Sequence, residues 1–205
     1  DTGITFQCGG HKLHVLRTRD EDACKEFQKE HEGYLYVVLD VGAKHDIEDE
    51  DVLYMDHHQP DFEPTQMIGE HKISYSSFGL AWGHLGHSLI ESVYENLPPY
   101  ETYKIHEIVR KRLTAFVDGV DSGTWPFEPD RAYTYSHLIG GLMPSVKPGE
   151  SLKINEAFAS AVLIACQNLS SVIEKAWERV VKVPEILGKT LKEQSGEILV
   201  LDEHV

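Results

Sequence analysis

The chain has 205 residues, of which 41% are apolar, so one sizeable domain with a buried core is expected. Its 34 acidic against 19 basic residues give a formal net charge of −15, which argues against a broad face for nucleic-acid backbones. Three scattered cysteines, Cys8, Cys24 and Cys166, form no CxxC pair and suggest neither a zinc knuckle nor a disulfide framework. A reducing intracellular location follows: cytoplasmic, or nuclear or mitochondrial in a eukaryote. No run of about 18 apolar residues and no basic-then-apolar leader is found, so no membrane partner is expected.

In chain order, Asp1 to Gly10 is turn-rich, and Lys12 to Thr18 alternates as a strand does. Asp20 to Glu32 suits a short surface helix. Tyr34 to Leu39 is a nearly continuous apolar run, as expected of a central parallel strand covered on both faces. An acidic loop, Asp46 to Asp51, leads to a second run, Val52 to Met55. Ser76-Ser77 opens a helix that continues to Glu95, with Leu80, Trp82, Leu85, Leu89 and Val93 on its apolar face. Pro98-Pro99 ends it. A second helix over Glu101 to Val117 carries Ile105, Ile108, Val109, Leu113 and Phe116 at helical spacing. An irregular stretch, Asp130 to Glu150, has room for a short helix around Tyr135 to Leu142. The longest helical pattern runs from Ile154 to about Val181, and Glu197 to Leu201 closes as a strand. Strands mixed with helices, with connections long enough for crossovers, predict an α/β fold with a mainly parallel sheet in a single domain, 1–205.

The chemistry-bearing residues cluster at the ends of these runs. Asp40 ends the first apolar run, where open parallel sheets bind ligands, although an aspartate before Gly42 also suits a turn. Asp56-His57-His58 follows the second run. Neighbouring histidines point in different directions, so one can ligate a metal while the other faces substrate, with Asp56 supporting a ring. Asp118 and Asp121, three apart, share a helical face at a helix C-terminus, where a carboxylate is unfavourable without a cation. His84 and His87, and His11 and His14, are better explained by packing or exposure, and Lys104, Arg110, Lys111 and Arg112 as helix decoration. Oxygen and imidazole donors without thiolate suit manganese, magnesium, zinc or iron.

Arg17-Thr18-Arg19-Asp20, Asp40-Val41-Gly42, Asp56-His57-His58-Gln59, Ser77-Phe78-Gly79-Leu80, Asp118-Gly119-Val120-Asp121-Ser122-Gly123 and Ile198-Leu199-Val200-Leu201 come in an order that resembles the DHH phosphoesterase superfamily. Within it, the chain is most similar to the melanocyte-proliferating-gene exonuclease family, known as metal-dependent protein hydrolases. The resemblance spans nearly the whole chain and implies a DHH-type N-terminal domain, with helices on both faces of its sheet. It implies that Asp40 bridges two divalent ions, manganese first and magnesium second. His57 would ligate one ion, with Asp121 as a further ligand and Asp118 beside it. His58 would contact the scissile phosphate, and Asp56 would support the histidines. The implied activity is phosphodiester hydrolysis, as a 3'-5' exonuclease on RNA or short oligonucleotides, with a homo-oligomer left open.

The chain departs from the family pattern in several places. The His-x-Gly-x-x-His-x-Asp-Asp motif is not intact around Gly3 to Gly10, Pro60 replaces an arginine, and Leu138 to Pro144 lacks one. The chain also ends where the family continues into a C-terminal domain. Those departures keep two alternatives: a degenerate, non-catalytic interaction module, and a phosphatase of small molecules.

Overall fold

The computed structural model describes residues 4–8, 11–18, 20–49, 51–126, 135–144 and 151–193. They form helices and small sheets in an α/β arrangement. The N-terminal segment is a hairpin, β1 (Ile4–Cys8) against β2 (His11–Val15), so the turn-rich first ten residues include a strand. The helix α1 (Glu21–Glu30) follows, capped by Asp20, whose carboxylate accepts from the amides of Asp22 and Ala23.

The sheet that matters most has three strands: β3 (Tyr36–Leu39), β4 (His45–Asp46) and β5 (Val52–Met55), with β5 in the centre. β3 and β5 are parallel, in a register that pairs Leu39 with Met55. The other described pairs are antiparallel, including β6 (Thr65–Ile68) with β7 (His71–Ser74). Among the described residues the sheet is therefore not mainly parallel. The physical reason is local: two-residue links such as Gly69-Glu70, with Gly69 at φ 60°, can only join antiparallel neighbours. Nor is β3 covered on both faces, since Val37 and Leu39 are exposed while Leu53 and Met55 of β5 are buried. The final strand expected over Ile198 to Leu201 lies outside the described residues.

Helices make up the rest. The first, α2 (Ser77–Val93), is capped by Ser76, which accepts from the Gly79 amide. Next, α3 (Pro99–Val109) runs without a break through a π-helical turn, Arg110–Thr114, into α4 (Ala115–Asp121). The π turn explains a departure from simple periodicity. An unbroken α-helix would carry the buried stripe from Ile105 and Val109 to Leu113 and then Val117. The wide turn inserts one residue, so the stripe passes through Thr114 to Asp118, both fully buried. After the short α5 (Tyr135–Gly140), α6 (Ser151–Trp177) passes through a second π turn, Glu178–Lys182, into α7 (Val183–Glu193). Within that run, Lys153–Gly188 is long and apolar enough to cross a membrane by length and composition alone. Its Ile173 and Ala176 are buried in one cluster with Trp82, Ile90, Ile105 and Val109.

Where α2 meets α3, a buried histidine packs between them. The His106 ring stacks on Trp82 with centroids 5.0 Å apart, and its Nε2 lies 3.2 Å from the Trp82 carbonyl. Gly86 makes room, because a methyl there would press on both rings. His87 is exposed with its ring against His106, and His84 is exposed, in keeping with ordinary packing roles. Burial pushes the His106 pKa down, and neighbouring His87 adds to the effect against the Trp82 carbonyl. An unfolded histidine takes up its proton near pH 6.5, while the folded ring still resists it. Stability is therefore lost as pH falls below about 6.5, by up to about 1.4 kcal/mol per pH unit from this group. Urea unfolding of wild type and His106→Phe between pH 7.5 and 5 should show the wild type losing ground on acidification.

Candidate metal centre

The parallel register of β3 and β5 builds the site. Because Leu39 pairs with Met55, the next residues, Asp40 and Asp56, emerge together from one sheet edge. The Asp40 amide donates to the Met55 carbonyl at 3.3 Å, and the Asp56 amide to the Lys44 carbonyl at 3.1 Å. The chain then turns sharply. Asp40, Gly42 and Ala43 all have left-handed backbones, with φ of 61°, 93° and 46°. Such conformations are unfavourable for residues bearing a Cβ and collect at functional sites. This turn aims the Ala43 amide at Asp56 Oδ2, 2.7 Å away.

Asp56 is buried, and its other oxygen accepts from the His58 amide at 3.1 Å and from His58 Nδ1 at 2.6 Å. Burial alone would raise the Asp56 carboxyl, but these donors outweigh it and hold it below the usual carboxylate range. The same hydrogen bond raises the His58 pKa. His57 is nearly enclosed, with its ring 4.2 Å from that of His58. Its Nδ1 lies 3.2 Å from Ser77 Oγ and 3.5 Å from Asp40 Oδ1. Its Nε2 lies 3.6 Å from Asp121 Oδ2, at the end of α4. One ligand atom each from Asp40, Asp56, His57 and His58 lies within 4.8 Å of the others.

These residues fit a divalent cation chemically. The donors are carboxylate oxygens and imidazole nitrogens, with no thiolate, and the carboxylates of Asp40 and Asp121 flank one ring. A separation of 3.6 Å between Nε2 and Asp121 is too long for a hydrogen bond. The structure thus brings together five of the six residues expected from the sequence: Asp40, Asp56, His57, His58 and Asp121.

Asp118 is elsewhere. Fully buried, it accepts from the Ser76 amide at 3.1 Å, from the Ser76 hydroxyl at 2.6 Å and from Gln66 Nε2. Both of its oxygens are taken by protein donors, and it stands outside the cluster of Asp40, Asp56, His57 and His58, where the sequence had placed it as a further metal ligand. A methyl at Gly79 would overlap this carboxylate. Gln66 in turn accepts from Arg110 at 2.6 Å, and Arg110 grips Glu107 with two bonds of 2.7 and 2.8 Å. Arg110, expected to be mere decoration, is therefore part of a polar chain that runs from the half-buried Glu107 to the buried Asp118. Ser77, Gln66 and Arg110 are the residues that sequence reasoning did not assign to the site. Only Ser77 carried a signal, through its place in a family motif.

Burial pushes the Asp118 carboxyl up to about 6, against the pull of its Ser76 and Gly79 donors. The group is then protonated in the fold but ionised in the unfolded chain between about pH 4 and 6, so it favours folding less as pH rises through that window. Denaturation should show wild type losing stability relative to Asp118→Asn from pH 4 to 6. Asp118→Ala, which strands three buried donors, should cost roughly 2–4 kcal/mol at neutral pH, and more as pH falls from about 6 to about 4.

Compared with known families, the chain matches the MYG1_exonuc model, described as Uncharacterised protein family (UPF0160), over residues 10–205. No curated protein and no solved structure matches it.

Proposed function

The chain belongs to the MYG1_exonuc family, and on that premise we propose that it is a metal-dependent phosphoesterase of the DHH type. Its substrates are phosphodiesters in RNA or short oligonucleotides, cleaved in the 3'-5' direction. The observation that carries this reading is the convergence of Asp40, Asp56, His57 and His58 at one sheet edge, within 4.8 Å. Carboxylates and imidazoles without thiolate suit manganese first and magnesium second. Asp40, His57 and Asp121 would hold such an ion. When bound, it would lower the pKa of a water and neutralise phosphate charge.

The remaining chemistry belongs to the chain. Asp56 holds the Nδ1 proton of His58 and fixes the ring. Nε2 of the half-exposed His58 is then the atom available to a phosphate oxygen or a leaving hydroxyl. Asp121 and Asp40 place negative charge on either side of His57, which repels a phosphate until a cation intervenes. The net charge of −15 favours short substrates over long RNA, and it sustains a second reading, hydrolysis of small phosphate esters.

Calorimetric titration with manganese should give saturable heat for wild type and at least about ten-fold weaker binding for Asp40→Asn. Equal affinities would refute the site. With manganese, a length series of oligonucleotides should be cleaved from one end, with kcat for His58→Asn lower by roughly 10²–10⁴. Turnover confined to mononucleotide-sized esters would select the second reading.

A further inference from the structure

Ser77, at the first position of α2, is buried and lies between two members of the site. Its Oγ is 3.2 Å from Asp40 Oδ1 and 3.2 Å from His57 Nδ1. A serine hydroxyl has one hydrogen, and an ionised carboxylate can only accept. The hydrogen therefore goes to Asp40, and a lone pair of Oγ is left facing His57. In a neutral imidazole one nitrogen carries hydrogen and the other does not. Nδ1 bare would face Oγ with no hydrogen between them, whereas Nδ1–H makes a bond. Without this hydroxyl the ring would see a carboxylate oxygen at 3.5 Å from Nδ1 and another at 3.6 Å from Nε2, which hardly distinguishes its two ends.

We propose that Ser77 is a positioning residue that keeps the proton of His57 on Nδ1 and leaves Nε2 bare toward Asp121. This rests on the metal-dependent reading above, in which a bare nitrogen is what a cation needs. Ser77 itself is held by the chain of Asp118, Ser76, Gln66 and Arg110. Ser76 both caps α2 and hydrogen-bonds Asp118, so the first turn of the helix cannot rotate the hydroxyl away from Asp40 and His57. The polar chain thus acts on the site at one remove.

The test is heteronuclear NMR of the full, metal-free chain with labelled histidine, His57 being assigned by the signals lost in His57→Asn. Wild type and Ser77→Thr should show His57 with hydrogen on Nδ1 and a bare Nε2. Ser77→Ala should show both tautomers in exchange. Manganese titration of the same samples should then give roughly ten-fold weaker binding for Ser77→Ala, restored in Ser77→Thr. Wild type with hydrogen on Nε2, or His57 signals unchanged in Ser77→Ala, would overturn the proposal. The wild-type and Ser77→Thr spectra decide it even where Ser77→Ala folds poorly. Absence of manganese binding by wild type, with the tautomer results as expected, would sink the metal-dependent reading and leave the role of Ser77 standing.

Discussion

A carboxylate without access to water has to be surrounded by donors, and Asp118 takes its donors from two different parts of the chain. The Ser76 amide and hydroxyl come from the head of α2, and the Gln66 amide from the β6–β7 hairpin. Arg110 then ties Gln66 back to the helix that bears Asp118. An unmet buried donor is costly, so these contacts lock the hairpin, α2 and α4 at fixed distances. The head of α2 can approach that closely only because Gly79 has no side chain in the way. Asp118 shares a helix with Asp121, and Ser76 adjoins Ser77, so the lock also sets where two residues stand against His57.

The electrostatics around His57 make sense in that frame. Asp40 and Asp121 approach the two nitrogens of one ring, and Asp56 lies one residue upstream in sequence. Like charges gathered without a cation oppose folding, and the protein holds them with backbone geometry and with fixed donors. Asp56 is satisfied by Ala43 and His58, which makes it a support for the histidine beside it. Asp40 and Asp121 stay partly open to solvent.

Much of this could be read from the residues. The two apolar runs became β3 and β5, and parallel pairing put the acids that follow them at one edge. The serine cap of α2 was visible as well, because a side-chain oxygen before an apolar helical pattern leaves a local mark. Contacts made at long range leave no such mark. Gln66 and Asp118 are 52 positions apart, and nothing in either neighbourhood announces the other. The π turn at Arg110–Thr114 is equally silent, because the residues around it fit a regular helix well enough. By shifting the buried stripe one residue along, it turns Asp118 into the interior. The hairpin was legible in principle, since Gly69-Glu70, with glycine first, is a two-residue turn signal.

Position 40 passes two unrelated filters. Its backbone sits at φ 61°, a region that glycine, asparagine and aspartate enter more readily than other residues. Its side chain must also reach toward His57 and Ser77 with an oxygen that can carry negative charge. Glycine satisfies the first demand and not the second, and glutamate the reverse. Aspartate alone meets both, so steric rules for the chain and ligand rules for the site narrow the alphabet at this position to a single letter.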